Sequence, residues 1–429
     1  MNPEQPGKRR TDRYWALALS TIVLIAAAPR IGLVHYANTR SAAARQQGKP
    51  DPFMWPDSER YLQAAANVAA GHGPMVSPAN RTGVDPGYPL LLSWPMRIWP
   101  NDVHKAVAAA RWLNAAAGLA TVVFVAYLGR LLFGAVAGLA AAAILAVQPI
   151  QVYFHALVLT EVIYTTLLAG SLYVLARYMQ GGGGANLFGS AIGLGLGTLL
   201  RSSGLFLPLL LLPVVFHAGW RSPRGPGRMS GAAAAVVTFC VCYACVLIPA
   251  AYRNYRILGS FVPVRTGIGE SLLEAVGPWA TGGPGMEKIQ RPAYPDDANE
   301  YVRDQMDRAA ALDCIRQDPG RFLRLAGIKF LRTWNVRMNL AGFRSPLYDV
   351  LAMISTIPVY VLAIVGWVRH RRQVTGWYLV LVPAMYFTVL HMVFVGSVRY
   401  RYPAMPHIMI LAGAALVAPL RGESAESRE

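Results

Sequence analysis

The 429-residue sequence is rich in apolar residues and poor in charge: 54% of its residues are hydrophobic and only 14% are charged. A water-soluble surface is hard to build from that composition, because ordinary soluble domains carry roughly 25% charged residues. The formal net charge of +18 does not indicate a nucleic-acid partner, since Lys and Arg lie between apolar blocks and not along one polar face. Composition therefore predicts an integral membrane protein whose partners are the lipid bilayer and lipid phosphates.

Ten apolar blocks follow one another along the chain, and most are near the length of a helix that crosses a bilayer. The first block resembles a secretory signal, but it lacks a convincing cleavage site and further spans follow it. We therefore predict an all-α integral membrane protein, a bundle of about ten transmembrane helices that forms one membrane domain over residues 1–429. The predicted spans are 14–36, 106–127, 134–152, 156–178, 187–200, 204–216, 231–252, 346–368, 376–395 and 402–420.

The distribution of arginine predicts the orientation of these spans. With a cytoplasmic N-terminus, ten spans place both termini and a large set of arginines in the cytoplasm, in agreement with the positive-inside rule. That set is Arg130, Arg177, Arg221, Arg224, Arg228, Arg369, Arg371, Arg372 and Arg421. The fifth and sixth blocks are short, which suits a broken hairpin with Arg201, Ser202 and Ser203 at its tip.

Two long segments then lie outside the membrane, at residues 37–105 and 253–345. The first contains a helical pattern over 58–70, with Ser58 as an N-cap and Gly71 as a stop, which suits an interfacial helix. The second contains a charged helix over 297–317 and a basic helix over 321–337. Most residues with chemical potential lie in these segments or at the ends of the spans beside them.

Asp57 follows the first span, in a place where a carboxylate faces both the lipid boundary and water. Such a group suits general-base catalysis on an acceptor hydroxyl, and it equally suits a helix cap. Glu161 begins the fourth span among apolar neighbours, where an ionisable group usually has a partner or a task. His155 is near enough in sequence to share a metal ion or a proton with it; the alternative is an interfacial His and a Glu paired with an Arg.

Several arginines lie at the predicted outer ends of the spans. The guanidinium group donates two parallel hydrogen bonds to phosphate oxygens and stays charged, so a convergence of such groups suits a lipid-linked phosphate. Each alone also suits an arginine that reaches to the membrane interface. The candidates for the donor phosphate are Arg201, Arg253, Arg256, Arg399 and Arg401.

The order of several short motifs resembles one family along almost the entire chain. They are Asp57-Ser58-Glu59-Arg60-Tyr61, Gly71-His72-Gly73, Pro86-Gly87-Tyr88-Pro89-Leu90, Leu159-Thr160-Glu161, Gly197-Thr198-Leu199-Leu200-Arg201-Ser202-Ser203-Gly204, Arg253-Asn254-Tyr255-Arg256, Gly259-Ser260-Phe261-Val262-Pro263-Val264 and Arg399-Tyr400-Arg401-Tyr402-Pro403. Each motif is degenerate, but their order and placement resemble the GT-C glycosyltransferases. The resemblance is to the bacterial branch related to protein O-mannosyltransferases and the aminoarabinose lipid A transferase.

This resemblance implies sugar transfer from a polyprenyl-phosphate sugar to an acceptor hydroxyl on a glycan, lipid or protein, usually with inversion. The reaction would take place at the extracytoplasmic face of a bacterial inner membrane. Asp57 matches the first-loop carboxylate assigned as base, and Glu161 matches a second acidic position. Ser58 stands where some relatives carry a second acid, so the resemblance gives less support to a paired-carboxylate site for a divalent cation in the first long segment. The predicted substrate pocket contains Tyr61, Arg81, Asp85, Tyr88 and His155.

Two other classes of function stay open. A multi-span transporter or lipid flippase also has many spans and buried charges, but transporters place charges on broken helices near the midplane, whereas this chain concentrates them in two outer segments. A different enzyme acting on lipid-linked substrates, or an inactive scaffold with the same fold, is the third possibility.

Overall fold

A computed structural model describes residues 6–221, 227–337 and 345–418. The helices in these residues, in chain order, are α1 (Pro6–Gln46), α2 (Pro56–Ala69), α3 (Gly87–Ile98), α4 (Val103–Phe133), α5 (Ala135–Val147), α6 (Pro149–Tyr153), α7 (Glu161–Met179), α8 (Gly184–Leu200), α9 (Leu207–Arg221), α10 (Arg228–Leu258), α11 (Ile268–Val276), α12 (Glu300–Gln317), α13 (Pro319–Thr333), α14 (Pro346–Arg369), α15 (Val374–Val393) and α16 (Met405–Ala414). Among the predicted cytoplasmic arginines, Arg224 and Arg421 lie outside the described residues, as does the end of the tenth predicted span.

The described residues contain seven helices that are long and apolar enough to cross a membrane: α1, α4, α7, α9 taken from Ser202, α10, α14 and α15. The bent pair of α5 and α6 forms an eighth candidate span. The fifth and tenth predicted blocks form the shorter apolar helices α8 and α16. The all-helical membrane bundle predicted from the sequence is confirmed.

Helix α16 is short and lies at the centre of the bundle. All ten of its residues are buried, and it packs against α5, α14, α15 and α4. Small residues allow this close packing: a Cβ atom on Gly413 would lie 2.3 Å from the carbonyl oxygen of Ala137, and one on Gly366 would lie 1.9 Å from that of Leu411. Small residues at helix contacts are typical of membrane bundles, where backbones approach closely.

Contacts at the ends of the long helices distinguish the two ends of the bundle. Near one end, Arg130 at the end of α4 contacts Asp12 and lies over the ring of Trp15, with 4.3 Å from its guanidinium carbon to the ring centre. Phe133 and His370 pack edge to face beside them. Helices α1 and α4 are 41 and 31 residues long, so each crosses the bundle from this end to the other. The chain that connects them therefore lies at the opposite end.

The segment between α10 and α14 contacts the segment between α1 and α4. The carboxylate of Glu300, at the start of α12, accepts hydrogen bonds from the backbone N–H groups of Arg81 and Thr82, and the Thr82 N–H lies 2.8 Å from Oε2. It also accepts from the hydroxyls of Thr82 and Thr266, and the Thr266 N–H donates to the Thr82 carbonyl at 3.0 Å. These bonds join the two long segments at one end of the bundle.

The Glu300 contacts predict a measurable stability effect. Glu300→Ala leaves several donors without their acceptor, so the free energy of unfolding should fall by about 2 kcal/mol. Thermal unfolding in detergent, together with limited proteolysis of residues 71–85, would detect this loss. Glu287→Ala, at an exposed position in the same segment, is the matched control and should change neither measurement. Equal stability of the two variants would contradict the prediction.

Candidate active site

Four charged side chains from distant parts of the chain meet at the end of the bundle that carries the two long segments. Asp57 lies in the first turn of α2, and Glu161 is the first residue of α7. Arg201 follows the last residue of α8, and Arg399 lies in the short turn Val398–Arg401 before α16. The start of a helix stabilises a carboxylate through its exposed N–H groups and its dipole, so both acids lie where their ionised forms are favoured.

Pro56 and Trp55 fix the start of the helix that carries Asp57. Pro56 occupies the first helical position, where the fixed φ of proline suits the helix and its missing N–H costs no hydrogen bond. The N-cap is Trp55, whose N–H donates to the Ser58 hydroxyl at 3.3 Å. The prediction that Ser58 caps this helix was wrong, because the proline starts it earlier.

The four groups form a line in which acids and arginines alternate and each contacts the next. We call this line, Asp57, Arg399, Glu161 and Arg201, the charge row. Nη1 of Arg399 lies 2.6 Å from Oδ2 of Asp57, and its Nε contacts Oε1 of Glu161. Nη1 of Arg201 lies 2.8 Å from that same glutamate oxygen. The second oxygen of Glu161, Oε2, is buried and has no hydrogen-bond partner among the described residues. Two guanidinium groups therefore share one carboxylate oxygen.

The charge row is open to solvent at one end only. The Asp57 side chain is 42% exposed, whereas Arg399 and Arg201 are each 11% exposed and Glu161 is fully buried. Burying a charge is costly unless it is paired and hydrogen-bonded, and the two arginines meet that requirement for Glu161. A substrate can therefore approach Asp57 and Arg399, while Glu161 and Arg201 support them from behind.

Aromatic rings orient the two arginines. The guanidinium carbon of Arg399 lies 5.5 Å from the ring centre of Trp55, and that of Arg201 lies 5.7 Å from the ring centre of Tyr400. The Tyr400 ring is in turn stacked on the His391 ring, with centres 4.1 Å apart. Cation–π contacts hold a guanidinium group without neutralising it, so both groups keep their charge for a ligand.

A second acid and arginine lie beside the charge row. Asp85 accepts a hydrogen bond from the Ser202 N–H at 3.2 Å, and Nε of Arg265 lies 3.5 Å from the same carboxylate oxygen. Arg265 also donates to the Ser202 hydroxyl at 3.1 Å. Gly87 allows this approach, because a Cβ atom there would lie 2.8 Å from the backbone of Leu199. Arg265 was not predicted, although it directly follows the motif that ends at Val264.

The pKa directions show how charge is distributed among these acids. Burial favours the neutral form of Asp57, but the positive charge of Arg399 outweighs it and holds the pKa of Asp57 below its usual range. At Asp85, burial prevails over the charge of Arg265 and raises the pKa. Burial and the charges of Asp57, Asp85 and Glu161 raise the pKa of Tyr61, which therefore stays neutral close to all three acids.

Three of the other predicted arginines lie outside the charge row. Arg253 donates to the carbonyl oxygens of Pro74, at 3.0 Å, and Arg81, and so holds the first long segment in place. Arg81 is exposed and binds Glu300 through its backbone N–H. Arg256 is exposed on α10 and donates to the Tyr252 hydroxyl at 3.0 Å.

The remaining predicted residues are buried in the bundle. Arg401 is 2% exposed and donates to the carbonyl oxygens of Thr333, at 3.2 Å, and Asn335, so it caps the end of α13. Tyr88 packs edge to face on Tyr61, with ring centres 5.2 Å apart.

His155 is also buried, and its Nδ1 lies 2.8 Å from the Val152 carbonyl oxygen, in the same turn of the chain. Its Nε2 faces Gly118 of α4, where a Cβ atom would lie 1.8 Å away. Among the described residues, no three His, Cys, Asp or Glu side chains are grouped to hold a metal ion. The partners of Glu161 are two arginines. The structure therefore agrees with the predicted Glu–Arg pairing and not with a metal ion or proton shared with His155.

Helix α13 holds the segment that carries Arg399. The ammonium group of Lys329 donates to the Val393 carbonyl at 2.8 Å, and Arg332 donates to the Gly396 carbonyl at 3.2 Å. The Gly396 N–H donates to the Gly282 carbonyl at 2.9 Å. The second long segment therefore positions Arg399 through the backbone just before it.

Comparison with known proteins identifies the fold. Residues 87–246 match the family described as dolichyl-phosphate-mannose-protein mannosyltransferase; this stretch includes Glu161 and Arg201. No curated protein matches the sequence significantly.

The archaeal oligosaccharyltransferase AglB from Archaeoglobus fulgidus, in complex with an inhibitory peptide and a dolichol-phosphate, has a similar structure, with a TM-score of 0.59 and 14% identity over 94% of this chain and 50% of that chain. The apo form of the Archaeoglobus fulgidus oligosaccharyltransferase gives a TM-score of 0.56 and 14% identity, over 93% and 50% of the two chains. ArnT from Cupriavidus metallidurans, bound to undecaprenyl phosphate, gives only 0.40 at 14% identity, over 92% and 78%.

The chain shares its fold with the archaeal oligosaccharyltransferase, and its middle part matches the mannosyltransferase family, in agreement with the resemblance to the GT-C glycosyltransferases that the order of its motifs predicted. It is a multi-pass membrane protein that spans about half the length of the archaeal oligosaccharyltransferase.

The shared carboxylate of Glu161 predicts a large stability effect. Glu161→Gln leaves two nearly buried guanidinium groups without their common acceptor, so the free energy of unfolding should fall by about 3 kcal/mol. Thermal and denaturant unfolding in detergent would measure the loss. Glu161→Gln combined with Arg201→Gln removes one unpaired charge and should recover part of the stability, while Asp313→Asn, in an exposed pair with Arg316, should have no effect. A Glu161→Gln variant as stable as the natural protein would contradict the prediction.

Proposed function

We propose that this protein transfers a sugar from a polyprenyl-phosphate-linked donor to an acceptor hydroxyl, with inversion at the anomeric carbon. The observation that carries the proposal is the charge row, in which an exposed carboxylate lies beside a guanidinium group in a GT-C fold. Transfer needs a base for the hydroxyl and cations for the lipid phosphate that leaves. Asp57 supplies the base and Arg399 supplies a cation, with 2.6 Å between Oδ2 of Asp57 and Nη1 of Arg399.

Each group of the site has a defined task in this reaction. Asp57 accepts the proton of the acceptor hydroxyl as the oxygen attacks the anomeric carbon. Arg399 and Arg201 stabilise the negative charge that develops on the leaving phosphate, for which fixed cations in a partly buried site are effective. Arg265, beside Asp85 and Ser202, is a further cation near the phosphate. Glu161 keeps the two arginines of the charge row oriented.

The comparisons support the choice of donor at the level of its chemical class. The matching family takes its name from a dolichyl-phosphate sugar, and the structure of the archaeal protein with the same fold contains a dolichol-phosphate. A donor that arrives attached to a lipid also suits a site at the end of a membrane bundle. Since this chain spans about half of the archaeal protein, the acceptor is proposed only as a hydroxyl of a glycan, lipid or protein, and the sugar as a hexose or a pentose.

The proposed setting is the inner membrane of a bacterium, with both termini in the cytoplasm and the active site outside. Positive charge supports this orientation, because Arg130, Arg177 and Arg369 lie at the ends of α4, α7 and α14 away from the long segments. The lipid-linked donor would reach the site from the outer leaflet.

Substitution of the base tests this function. Asp57→Asn keeps the size of the side chain but removes its basicity, so kcat for transfer should fall by about 100-fold or more while the fold and donor binding persist. The assay is incubation of purified protein in lipid with radiolabelled polyprenyl-phosphate sugars and candidate acceptors. Glu59→Gln, two residues further on the same helix and exposed, is the matched control.

Two results would contradict the proposal. Unchanged transfer by Asp57→Asn would remove Asp57 from the mechanism. Lipid flipping or solute efflux, with no transfer from any donor, would instead indicate a transporter or flippase.

A further inference from the structure

The proposed base, Asp57, is paired with Arg399 in this structure. Nη1 of Arg399 lies 2.6 Å from the Asp57 carboxylate, and this ion pair holds the pKa of Asp57 below its usual range. A carboxylate paired in this way is a poorer base than a free one, because the proton of a hydroxyl must compete with the guanidinium group. Catalysis by Asp57 therefore requires Arg399 to change its partner.

The contacts of Arg399 allow such a change. Its Nε contacts Glu161 while its Nη1 contacts Asp57, so the outer end of the guanidinium group can change partner with Nε held. Glu161 keeps Arg201 at 2.8 Å in either case. Arg201 is fixed further by the Ser203 hydroxyl, 3.0 Å from its Nε. Only one of the two arginines therefore has to adjust.

We infer that Arg399 exchanges Asp57 for the phosphate of the donor, and that this exchange frees the Asp57 carboxylate to accept the acceptor proton when the donor is bound. The inference rests on the proposed function and adds its order of events. Donor binding comes first, and the acceptor hydroxyl is activated only when a donor phosphate occupies the site. A hydroxyl compound alone, water included, meets a carboxylate that is already paired.

The exchange also balances the charges of the reaction. The acceptor oxygen forms a bond to the anomeric carbon, and the bond from that carbon to the phosphate oxygen breaks with its electron pair left on the phosphate. The acceptor proton goes to Asp57, which becomes neutral as the phosphate gains a second negative charge. Arg399 thus pairs with the acid before the donor binds and with the leaving phosphate afterwards.

Other groups set the environment of Asp57 once Arg399 has moved. The charged and titratable groups that face it are Arg60 on its own helix, Arg201, Tyr61, Arg265, Glu274 and Tyr400. Burial then opposes ionisation of Asp57 with less compensation, so its pKa rises. At acidic pH Asp57 is then protonated and no longer competes for Arg399, so phosphate binding should take up a proton there and become tighter as pH falls. At neutral pH Asp57 stays ionised and can accept the proton of the acceptor hydroxyl.

Binding of a phosphodiester tests the exchange without any turnover. The probe is a polyprenyl methyl phosphate, which has one negative charge, does not titrate near neutral pH and has no sugar to transfer. Its affinity for protein in lipid nanodiscs is measured by calorimetry at about pH 7.5 and about pH 5, in buffers of different ionisation enthalpy. The natural protein should bind with proton uptake at the lower pH only, and about tenfold more tightly there than at the higher pH.

Three variants separate the contributions. Asp57→Asn removes the competitor of the phosphate, so it should bind the probe at least as tightly as the natural protein and without proton uptake. Arg399→Gln should bind about tenfold or more weakly, also without uptake. Arg316→Gln, which removes an exposed arginine from α12, controls for the loss of one positive charge and should behave like the natural protein.

The outcomes distinguish this inference from the proposed function. Probe binding without proton uptake at the lower pH in the natural protein, or unchanged affinity in Arg399→Gln, would overturn the exchange even if sugar transfer is found. Proton-linked binding that depends on Asp57 and Arg399 would support the exchange even if the chosen sugars are not transferred. Affinity that responds equally to Arg399→Gln and Arg316→Gln would mean a general charge effect, and would also overturn it.

Discussion

The pairing of one buried carboxylate with two arginines is the interaction on which the site depends. Glu161 is fully buried, and such a charge is unfavourable in a membrane bundle unless partners surround it. Arg201 and Arg399 meet this need from two different parts of the chain. Their attraction to Glu161 joins the start of α7 to the end of α8 and to the turn before α16. Arg399 is thereby brought beside Asp57.

The two long segments act as one wall around this interaction. Glu300 and Arg253 bind the backbone of the first segment from the second, and Lys329 and Arg332 hold the backbone before Arg399. Each of these bonds uses a charged group on a backbone partner, which fixes geometry without cancelling the charges of the site. Segments far apart in sequence therefore share one task, which is to place a few guanidinium groups.

The balance of charge in the charge row limits how a phosphate can bind. Asp57 and Glu161 offset Arg399 and Arg201, so the charge row by itself has no net charge. A phosphate that enters must displace an acid from an arginine, or the acid must be protonated. In the proposed reaction the second event accompanies the transfer, so the same arginine serves the base and the leaving group in turn.

The sequence by itself determined the class of the protein and most of its helices. Hydrophobic length is a local property, so apolar blocks near 20 residues predicted the bundle, and the helices predicted over 297–317 and 321–337 lie within a few residues of α12 and α13. Asp57, Glu161, Arg201 and Arg399 were also found as candidates, because charges at the ends of apolar helices are conspicuous.

Only the tertiary structure decided which arginine meets which acid. Arg399 and Arg401 are two residues apart and look alike in the sequence, yet the turn Val398–Arg401 directs the first to Glu161 and the second to the end of α13. Arg265 showed no local sign of its place beside Asp85. The direction of a side chain depends on backbone geometry and on contacts with segments hundreds of residues away, and neither is contained in the local pattern of the chain.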